Sequence, residues 1–429
     1  MTAHDARYVQ HTAASSADPA CLRELAVSVR GEELVVFGKP GVWSWEAPNP
    51  GTLALLELPS FEPDASVLDL GCGTGIIGAL AARLARRGRT VLVDCNVVAV
   101  ACAGRTLQAS GAENAQVQLS DGVEGLHGRA FDLVLSHLPR GREVQRELIR
   151  GAAHVLRPHG QFYFAASARS GIKGAVAYAR DLFGRCGVVH RKKGYHVAMT
   201  VRLPAMTSPG PPDPYVGRSV TLDGVETALV SKPGVFAWDR LDGGTACLVD
   251  AMEIGRHDRV LDLGCGTGLA GVAAARRAPE GQVVLVDADI RAVRSARRTL
   301  EANGIENARA LVSDGAPALR GCERFDVVMV NPPFHQGREV DYQMGYQFIR
   351  DARNVLRPGG RLYLVANRFI GYEGLMRQVF GSVATAYAGG SYKVLTAQAN
   401  GRASQPADLR VSGSIGALTP RSGRPPTVG

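Results

Sequence analysis

Residues 262–268 read Asp-Leu-Gly-Cys-Gly-Thr-Gly; they follow the short apolar run 259–261 and precede a segment with helical spacing. This order predicts a strand that turns sharply into a helix, with glycines that let backbone N–H groups face a nucleotide-like ligand. About twenty residues later a second apolar run ends in Asp287, whose carboxylate can accept hydrogen bonds from a ribose diol. The combination predicts an α/β domain that binds an adenosine-type ligand.

The glycine motif also separates two classes of nucleotide-binding protein. It differs from the dinucleotide pattern Gly-x-Gly-x-x-Gly and resembles the first motif of the class I S-adenosylmethionine-dependent methyltransferases. The resemblance implies a Rossmann-like fold and S-adenosyl-L-methionine as the cofactor. From the glycine motif alone, another Rossmann-type nucleotide binder stays open as an alternative.

A second motif, Asn331-Pro332-Pro333-Phe334, has the chemistry needed to hold a methyl acceptor. An exocyclic amine on a base is a weak nucleophile, so a catalyst must hold its hydrogens and aim the lone pair at the methyl group. The Asn331 side-chain oxygen and the Pro332 carbonyl can accept those hydrogens, while Pro333 favours extended backbone before it. Phe334 offers a ring on which a planar substrate can stack. We therefore predict that these four residues are catalytic, the alternative being an ordinary Pro-Pro turn.

The chain contains an internal duplication. Segments of the first half recur in the second half at an offset of 193 residues (232 − 39 and 260 − 67), which drifts to 200 where residues 155–158 match 355–358. The repeated pairs are 39–45 with 232–238, 67–75 with 260–268, Asp94 with Asp287, and 120–122 with 313–315. Two homologous domains of about 180 residues each fit the length of the chain.

Short Val/Leu-rich runs alternate with Ala/Arg-rich helical patterns in each half. The alternation predicts an α/β fold with two tandem Rossmann-like class I methyltransferase domains, each a mainly parallel sheet with helices on both faces. Stretches rich in proline and serine mark the boundaries. The predicted segments are a flexible N-terminus (1–20), a first methyltransferase-like domain (21–203), a Pro-rich linker (204–216), a catalytic domain (217–400) and a disordered tail (401–429).

The two copies differ where the chemistry is expected. The first half has His137-Leu138-Pro139-Arg140 in place of the Asn-Pro-Pro-Phe motif, so it lacks the acceptor pair and the stacking ring. We therefore predict that the first domain transfers no methyl group. Several residues of the cofactor pattern nevertheless persist there, and they leave open either a second cofactor site or glycines kept for turn geometry. They are Gly71, Gly73, Gly75, Asp94 and Asp121.

The tandem arrangement, with Asn-Pro-Pro-Phe only in the second copy, resembles the ribosomal RNA guanine-N2 methyltransferases, in particular those of the small subunit. In that family the second domain binds the cofactor and methylates, and the first assists folding and RNA binding. The resemblance implies that the cofactor is held by Asp262, Gly264, Gly266, Gly268, Asp287, Asp314 (at the adenine) and Asn331. It implies that the substrate is bound by Lys232, Phe236, His335 and Arg338. The intact glycines at 71–75 depart from the family pattern, in which that motif is usually degraded.

Composition bears on partners and location. The formal charge of +9, with a pI of about 9.3, is compatible with a polyanionic partner, although an arginine-rich composition alone produces the same total. The cysteines form no Cys-x-x-Cys pair and the histidines show no ligand spacing, so neither a metal site nor a disulfide framework is expected. No apolar run reaches membrane-spanning length. We expect a cytoplasmic monomer that binds ribosomal RNA or the small subunit, with no membrane partner.

Two other kinds of function stay open at this level. The Asn-Pro-Pro-aromatic pattern also suits other planar nitrogens, such as a large-subunit ribosomal RNA guanine, a DNA adenine or a protein glutamine amide. The tandem architecture disfavours the DNA and protein acceptors. A non-catalytic RNA-binding or assembly module is the alternative from another class, and the intact motif in the second copy argues against it.

Overall fold

The structure is a computed structural model that describes residues 7–9, 22–126, 128–206, 214–316, 319, 324–333 and 343–400. Each half of the chain forms a seven-stranded sheet flanked by helices. Each half also carries a small antiparallel sheet that precedes the large one in the sequence. The predicted division into two α/β halves with mainly parallel sheets is therefore confirmed.

The first half contains ten strands and five helices among the described residues. In chain order they are β1 (Arg7–Val9), β2 (Arg23–Val29), β3 (Glu32–Gly38), α1 (Pro50–Leu56), β4 (Ser66–Leu70), α2 (Ile76–Leu84), β5 (Arg89–Asp94), α3 (Val97–Ala109), β6 (Ala115–Leu119), β7 (Phe131–His137), α4 (Arg142–Val155), β8 (Leu156–Ser167), α5 (Ile172–Phe183), β9 (Gly187–Lys192) and β10 (Tyr195–Val201).

The second half repeats this order from its hairpin onward. Its elements are β11 (Val216–Leu222), β12 (Val225–Ser231), α6 (Gly243–Ala251), β13 (Arg259–Leu263), α7 (Leu269–Arg277), β14 (Gln282–Asp287), α8 (Ile290–Ala302), β15 (Ala308–Val312), β16 (Phe325–Val330), α9 (Gln343–Val355), β17 (Leu356–Asn367), α10 (Glu373–Phe380), β18 (Ala384–Gly389) and β19 (Tyr392–Gln398).

The two large sheets have the same topology. The strand orders are β6-β5-β4-β7-β8-β10-β9 and β15-β14-β13-β16-β17-β19-β18. The first five strands of each order pair in parallel, and the last two pair antiparallel. From β13 the chain adds strands towards one edge of the sheet, and from β16 it adds strands towards the other edge. Open α/β sheets bind ligands at the carboxyl ends of the two strands on either side of such a reversal.

Helices cover both faces of the second sheet. Leu261 and Leu263 pack in one buried cluster with residues of α9 and α10, whereas Val260 packs in another cluster with residues of α6, α7 and α8. Successive side chains of a strand point to opposite faces, so the alternation places one helical layer on each side. Val, Leu and Ile fill these strands because a sheet covered on both faces exposes no solvent side.

A hairpin before each large sheet is absent from the sequence prediction. Strands β2 and β3 turn through Arg30-Gly31, and β11 and β12 turn through Asp223-Gly224, with positive φ at all four residues. Two consecutive positive φ values define the two-residue turn that matches the twist of a hairpin. The Asp-Gly pair in the sequence is typical of such a turn and indicates the second hairpin. A Lys-Pro-Gly segment follows each hairpin directly, so the hairpin determines where that segment lies.

Parts of the predicted boundary segments lie outside the described residues, namely most of 1–20, the linker residues 207–213 and the tail 401–429. The structure does describe Arg7–Val9, inside the segment predicted to be flexible, as strand β1. It pairs antiparallel with β2, with Arg7 opposite Ser28. The edge of a hairpin offers unpaired backbone groups, and a Tyr-Val sequence favours extended backbone.

The two halves meet across a reciprocal backbone contact. Asn96 and Asp289, which are equivalent in the duplication (289 − 96 = 193), face each other in an isolated antiparallel bridge. The Val97 N–H donates to the Ala288 carbonyl at 2.9 Å, and the Ile290 N–H donates to the Cys95 carbonyl at 2.9 Å. Equivalent residues that exchange equivalent contacts define an approximate two-fold axis between the halves.

The last glycine of each glycine loop is needed for packing. Gly75 has φ of +81°, and a Cβ atom there would lie 2.8 Å from the Cα of Ala103 in α3. Gly268 has φ of +84° and would meet Ala296 in α8 at the same distance. Both the left-handed backbone and the close helix exclude a larger residue. Turn geometry therefore accounts for this glycine in both copies, whether or not a ligand binds.

We expect Gly75→Ala to destabilise the first half by about 1–3 kcal/mol, because the added methyl group overlaps α3 and strains the turn. Calorimetric melting of the full chain measures the change. The control is Gly174→Ala on the exposed face of α5, where a Cβ meets nothing within 4 Å. That change should be neutral or slightly stabilising. Equal melting temperatures for the two variants would contradict the packing argument.

Candidate active site

A cavity of about 450 Å³ opens at the carboxyl ends of β13, β14 and β16. Its walls include the glycine loop, the segment after Asp287, the Ser-Asp-Gly turn after β15 and the Asn-Pro-Pro segment after β16. Phe236 lies on its edge and is 59% exposed. The structure therefore brings the predicted cofactor and acceptor motifs together around one space, at the point where the strand order reverses.

Asp287 is held rigidly by the glycine loop. Its Oδ2 accepts a hydrogen bond from the Gly266 N–H at 3.0 Å, and its Oδ1 accepts one from the Asp289 N–H at 2.9 Å. Burial raises the pKa of Asp287 to about 6. Gly266 has φ of +53°, and the nearest atom to a Cβ built there would be the Phe236 carbonyl oxygen at 4.0 Å. The loop thus leaves open space beside an oriented carboxylate.

Asp262 is buried at the floor of the cavity with an unused acceptor. Its Oδ2 has no hydrogen-bond partner among the described residues. Burial, reinforced by the nearby charge of Asp287, raises the pKa of Asp262 to about 7. A buried carboxylate oxygen without a partner is costly, and a cationic ligand group would offset that cost.

The adenine end of the predicted site contains a contact from the first half. Asp314 lies on the cavity wall, and its carboxylate forms an ion pair with Lys39. The Gln347 side-chain amide approaches the other carboxylate oxygen at 3.4 Å. Gly41, Asn96 and Val98 of the first half also line the cavity. The first half therefore forms part of the wall, which motif reading within one domain does not reveal.

The acceptor end is organised by the Asn331 carboxamide. Its Nδ2 donates to Asp242 Oδ2 at 3.2 Å and to Thr245 Oγ1 at 3.1 Å. An ionised carboxylate only accepts hydrogen bonds, so the amide nitrogen must face Asp242 and the amide oxygen must face away from it. Asp242 is the N-cap of α6. Pro332 and Pro333 continue the cavity wall beside Asn331.

Sequence reasoning misses several residues of this site and names others that cannot be placed. Asp242 is readable as a helix N-cap, but its contact with Asn331 spans 89 residues and needs the folded chain. Phe348 of α9 lines the cavity against Gly264 and belongs to no motif. Three predicted residues, Phe334, His335 and Arg338, lie outside the described residues.

Comparison with known proteins gives a consistent result. The Methyltransferase small domain family matches the chain twice, over residues 33–199 and 226–396. The chain belongs to this family. It is therefore a methyltransferase, and the predicted fold of two tandem Rossmann-like methyltransferase domains is confirmed.

Curated relatives and solved structures narrow the comparison. The chain is 34% identical to ribosomal RNA small subunit methyltransferase C of Pseudomonas entomophila over 254 residues, 59% of this chain and 75% of the relative. It is 32% identical to the protein of that name from Hahella chejuensis, over 62% of this chain and 76% of the relative. The structure of the T. thermophilus 16S rRNA N2 G1207 methyltransferase, in complex with AdoMet and guanosine, is similar with a TM-score of 0.76 and 32% identity. That match covers 88% of this chain and 98% of the other.

In the first copy, packed side chains fill the position that corresponds to the acceptor motif. His137, which aligns with Asn331, contacts Thr52 Oγ1 at 2.8 Å through its Nδ1 and meets the Tyr195 ring edge-on at 5.7 Å. Burial lowers the pKa of His137 to about 4, so the ring is neutral at physiological pH. A neutral ring packed on Thr52 and Tyr195 offers no acceptor pair to a base.

Lys232 lies in the interface between the copies. The family resemblance predicts that Lys232 binds the substrate, whereas in the structure Lys232 is 1% exposed and its ammonium group faces the first copy. It donates to both carboxylate oxygens of Asp121, at 2.9 and 2.8 Å, and to Glu147. The reason is geometric, since the hairpin β11–β12 carries the Lys-Pro-Gly segment across the two-fold axis.

Two observations bear on membranes and metals. Among the described residues, no helix combines the length and apolar character needed to cross a bilayer. Within the same residues, no cluster of three or more His, Cys, Asp or Glu side chains is arranged to bind a metal ion.

The cofactor affinity should depend on pH. A cationic or diol ligand prefers the ionised forms of Asp262 and Asp287, whose pKa values are raised to about 7 and about 6. Affinity should therefore fall as the pH drops below about 7, by up to tenfold per pH unit per group, and level off at higher pH. Titration calorimetry with S-adenosylhomocysteine checks this. Asp262→Asn should weaken binding and remove the part of the dependence near pH 7, and a flat profile in the unaltered chain would contradict the assignment.

Removing the buried ammonium group should destabilise the interface. Lys232→Met leaves Asp121 and Glu147 without their cation, and breaking a buried ion pair typically costs about 3–5 kcal/mol. We expect a clear drop in melting temperature at neutral pH. The triple variant Lys232→Met, Asp121→Asn, Glu147→Gln removes every charge of the cluster and should recover most of the loss. A single variant as stable as the unaltered chain would show that the cluster contributes nothing.

Proposed function

We propose that the chain transfers a methyl group from S-adenosylmethionine to the exocyclic N2 amine of a guanine in small-subunit ribosomal RNA. The observation that carries the proposal is the Asn331 carboxamide, whose nitrogen is engaged by Asp242 and Thr245 so that its oxygen is left to accept from a substrate. The similarity to ribosomal RNA small subunit methyltransferase C proteins supports the substrate class.

The cavity residues fit this cofactor. The unpartnered Oδ2 of Asp262 would accept from the ammonium group of the methionine part, and Asp287 would accept from the ribose hydroxyls. The open space at Gly266 admits the ligand close to the backbone, and Asp314 would meet the adenine amine. The bound cofactor supplies an electrophilic methyl group on a sulfonium. Similarity to a protein solved in complex with AdoMet and guanosine supports the assignment.

The acceptor residues act by orientation. The Asn331 Oδ1 and the Pro332 carbonyl would accept the two hydrogens of the guanine amine, which aims the nitrogen lone pair into the cavity. When the N–C bond forms and the S–C bond breaks, the guanine nitrogen would carry a positive charge and an acidic proton. That proton passes to water, so the site needs no strong base. Pro333 limits the backbone freedom of this segment.

We also propose roles for the residues that would contact the target base and the rest of the RNA. Phe236, exposed at the cavity mouth, would cover the base, and Phe334 would stack on it. His335 would border the base, and Arg338 would contact an RNA phosphate. The net charge of +9 favours a polyanionic partner. We assign Lys232 to the domain interface because its ammonium group is committed to Asp121 and Glu147. A cytoplasmic monomer, acting on ribosomal RNA or on the small subunit, is the arrangement we propose.

We expect Asn331→Ala to lower kcat by about 100-fold or more while leaving the affinity for S-adenosylhomocysteine nearly unchanged, because misplacing the reacting atoms alone has an effect of this size. Turnover with labelled cofactor and small-subunit RNA measures kcat, and calorimetry measures binding. The matched control is His137→Ala in the first copy, which should retain turnover. Activity that survives Asn331→Ala but is lost with His137→Ala would move the active site to the first half.

The acceptor itself is tested by offering labelled S-adenosylmethionine with ribosomal RNA, small subunits, large subunits, duplex DNA and a release-factor-like protein in parallel. Mass spectrometry of the labelled nucleosides should find N2-methylguanosine in small-subunit RNA. Label only in large-subunit RNA, DNA adenine or protein glutamine would replace the proposed acceptor. A folded protein that binds cofactor and labels no acceptor would favour a non-catalytic RNA-binding role.

A further inference from the structure

The first copy keeps the framework of the adenosine site intact. The Gly73 N–H donates to Asp94 Oδ2 at 2.9 Å and the Asn96 N–H donates to Asp94 Oδ1 at 2.9 Å. These bonds match those that orient Asp287 in the second copy. A Cβ built on Gly73 meets no atom of the described residues within 4 Å, so the loop leaves open space there too. Asp69, the equivalent of Asp262, likewise has a buried oxygen without a partner among the described residues.

Two cationic side chains of the second copy, Lys232 and Arg294, lie at Asp121, the residue of this framework that is equivalent to Asp314. Both oxygens of Asp121 accept from Lys232, at 2.9 and 2.8 Å. Arg294 lies 4.0 Å from Asp121 and pairs with Glu124. In the second copy the equivalent Asp314 is paired with Lys39, and Gln347 stands where the first copy has Glu147. The first copy therefore gathers more charge of both signs at this end than the second copy does.

Arg291 makes the decisive difference between the two copies. Its equivalent in the duplication is Val98 (291 − 98 = 193), which lines the open cavity of the second copy together with Gly41. Among the described residues, a Cβ built on Gly41 meets only Met344 within 4 Å. Across the axis, a Cβ built on Gly234 would lie 2.5 Å from Nη1 of Arg291 and 3.2 Å from Cγ2 of Val144 in the first copy. The guanidinium group thus fills, on the first copy's side, the space whose counterpart is open on the second copy's side.

The guanidinium group is fixed in that space. Arg291 Nη2 donates to Asp289 Oδ2 at 2.6 Å, and its Nε donates to Asp289 Oδ1 at 3.0 Å. Asp289 Oδ2 also lies 3.8 Å from Sγ of Cys95, the residue after Asp94, which places the ion pair beside the ribose acceptor of the first copy. Asp289 is the equivalent of Asn96, so this ion pair has no counterpart between Asn96 and Val98.

We propose that the first copy contains a complete adenosine-binding framework that is occupied internally by Arg291 of the second copy. The guanidinium group donates hydrogen bonds and accepts none, and together with its partner Asp289 it takes the space that an adenosine would need. The pair of Lys232 with Asp121 has a counterpart, Lys39 with Asp314, in the open copy, so it does not by itself close a site. The chain accordingly binds one cofactor molecule, in the second copy. Removing the internal cation opens a second site for an adenosine-containing ligand.

The double variant Asp289→Asn, Arg291→Val tests this proposal, because it gives the second copy the Asn and Val residues that the first copy presents at Asn96 and Val98. Asn is also a good helix N-cap, so α8 keeps its cap. Equilibrium dialysis with labelled S-adenosylhomocysteine counts the bound ligand per chain. We expect one molecule for the unaltered chain and two for the double variant, with the second lost when Asp94→Ala is added.

Two controls separate folding from occupancy. Calorimetric melting establishes that the double variant is folded, and a folded variant that still binds one molecule overturns the proposal. The second control uses no change at the interface. Asp287→Ala should bind no ligand at concentrations that saturate the unaltered chain, whereas one bound molecule that disappears on adding Asp94→Ala would show that the first copy is open already. Asp94→Ala alone should leave one molecule bound. These counts do not depend on the identity of the methyl acceptor.

Discussion

A buried lysine from each half pairs with an aspartate of the other half, and the arrangement of the whole chain depends on this exchange. Lys39 reaches Asp314, and Lys232 reaches Asp121. Both lysines follow a hairpin that packs on a helix of its own half, so the hairpins fix how far each lysine extends. Removing one partner of such a pair leaves an uncompensated buried charge and is costly, whereas replacing the whole pair often changes stability little, so the pairs chiefly hold the two halves in one arrangement. Each half therefore contains buried charges at the interface whose partners lie in the other half.

The backbone contacts between the two halves are nearly symmetric, but the side chains at equivalent positions differ. The bridge between Asn96 and Asp289 lies on the approximate two-fold axis, and the contacts around it repeat. At equivalent positions one copy receives Val98 and the other receives Arg291. A small apolar residue leaves the wall of a cavity open, whereas a guanidinium group with its own carboxylate partner fills the corresponding space. The same duplication can thus maintain one open site and one filled site.

The active half depends on contacts that orient groups before a ligand arrives. Asp287 is held by two backbone N–H groups, and Asn331 is held by the N-cap and first turn of α6. Both arrangements use secondary-structure ends, where backbone or capping groups are already available. Orientation in advance reduces the entropy lost when the substrate binds, which is how a site without a strong base can favour methyl transfer.

The sequence by itself determined the duplication, the α/β fold and the two motifs, because strand and helix periodicity, glycine turns and the Asn-Pro-Pro-Phe spacing are local properties of the chain. The hairpin through Asp223-Gly224 was readable by the same rules. Only the tertiary structure decided that Lys232 belongs to the interface, that Asp242 orients Asn331, and that Arg291 lies against the first copy. Those contacts join residues that are far apart in the chain, and local pattern carries no information about which distant side chain fills a given space.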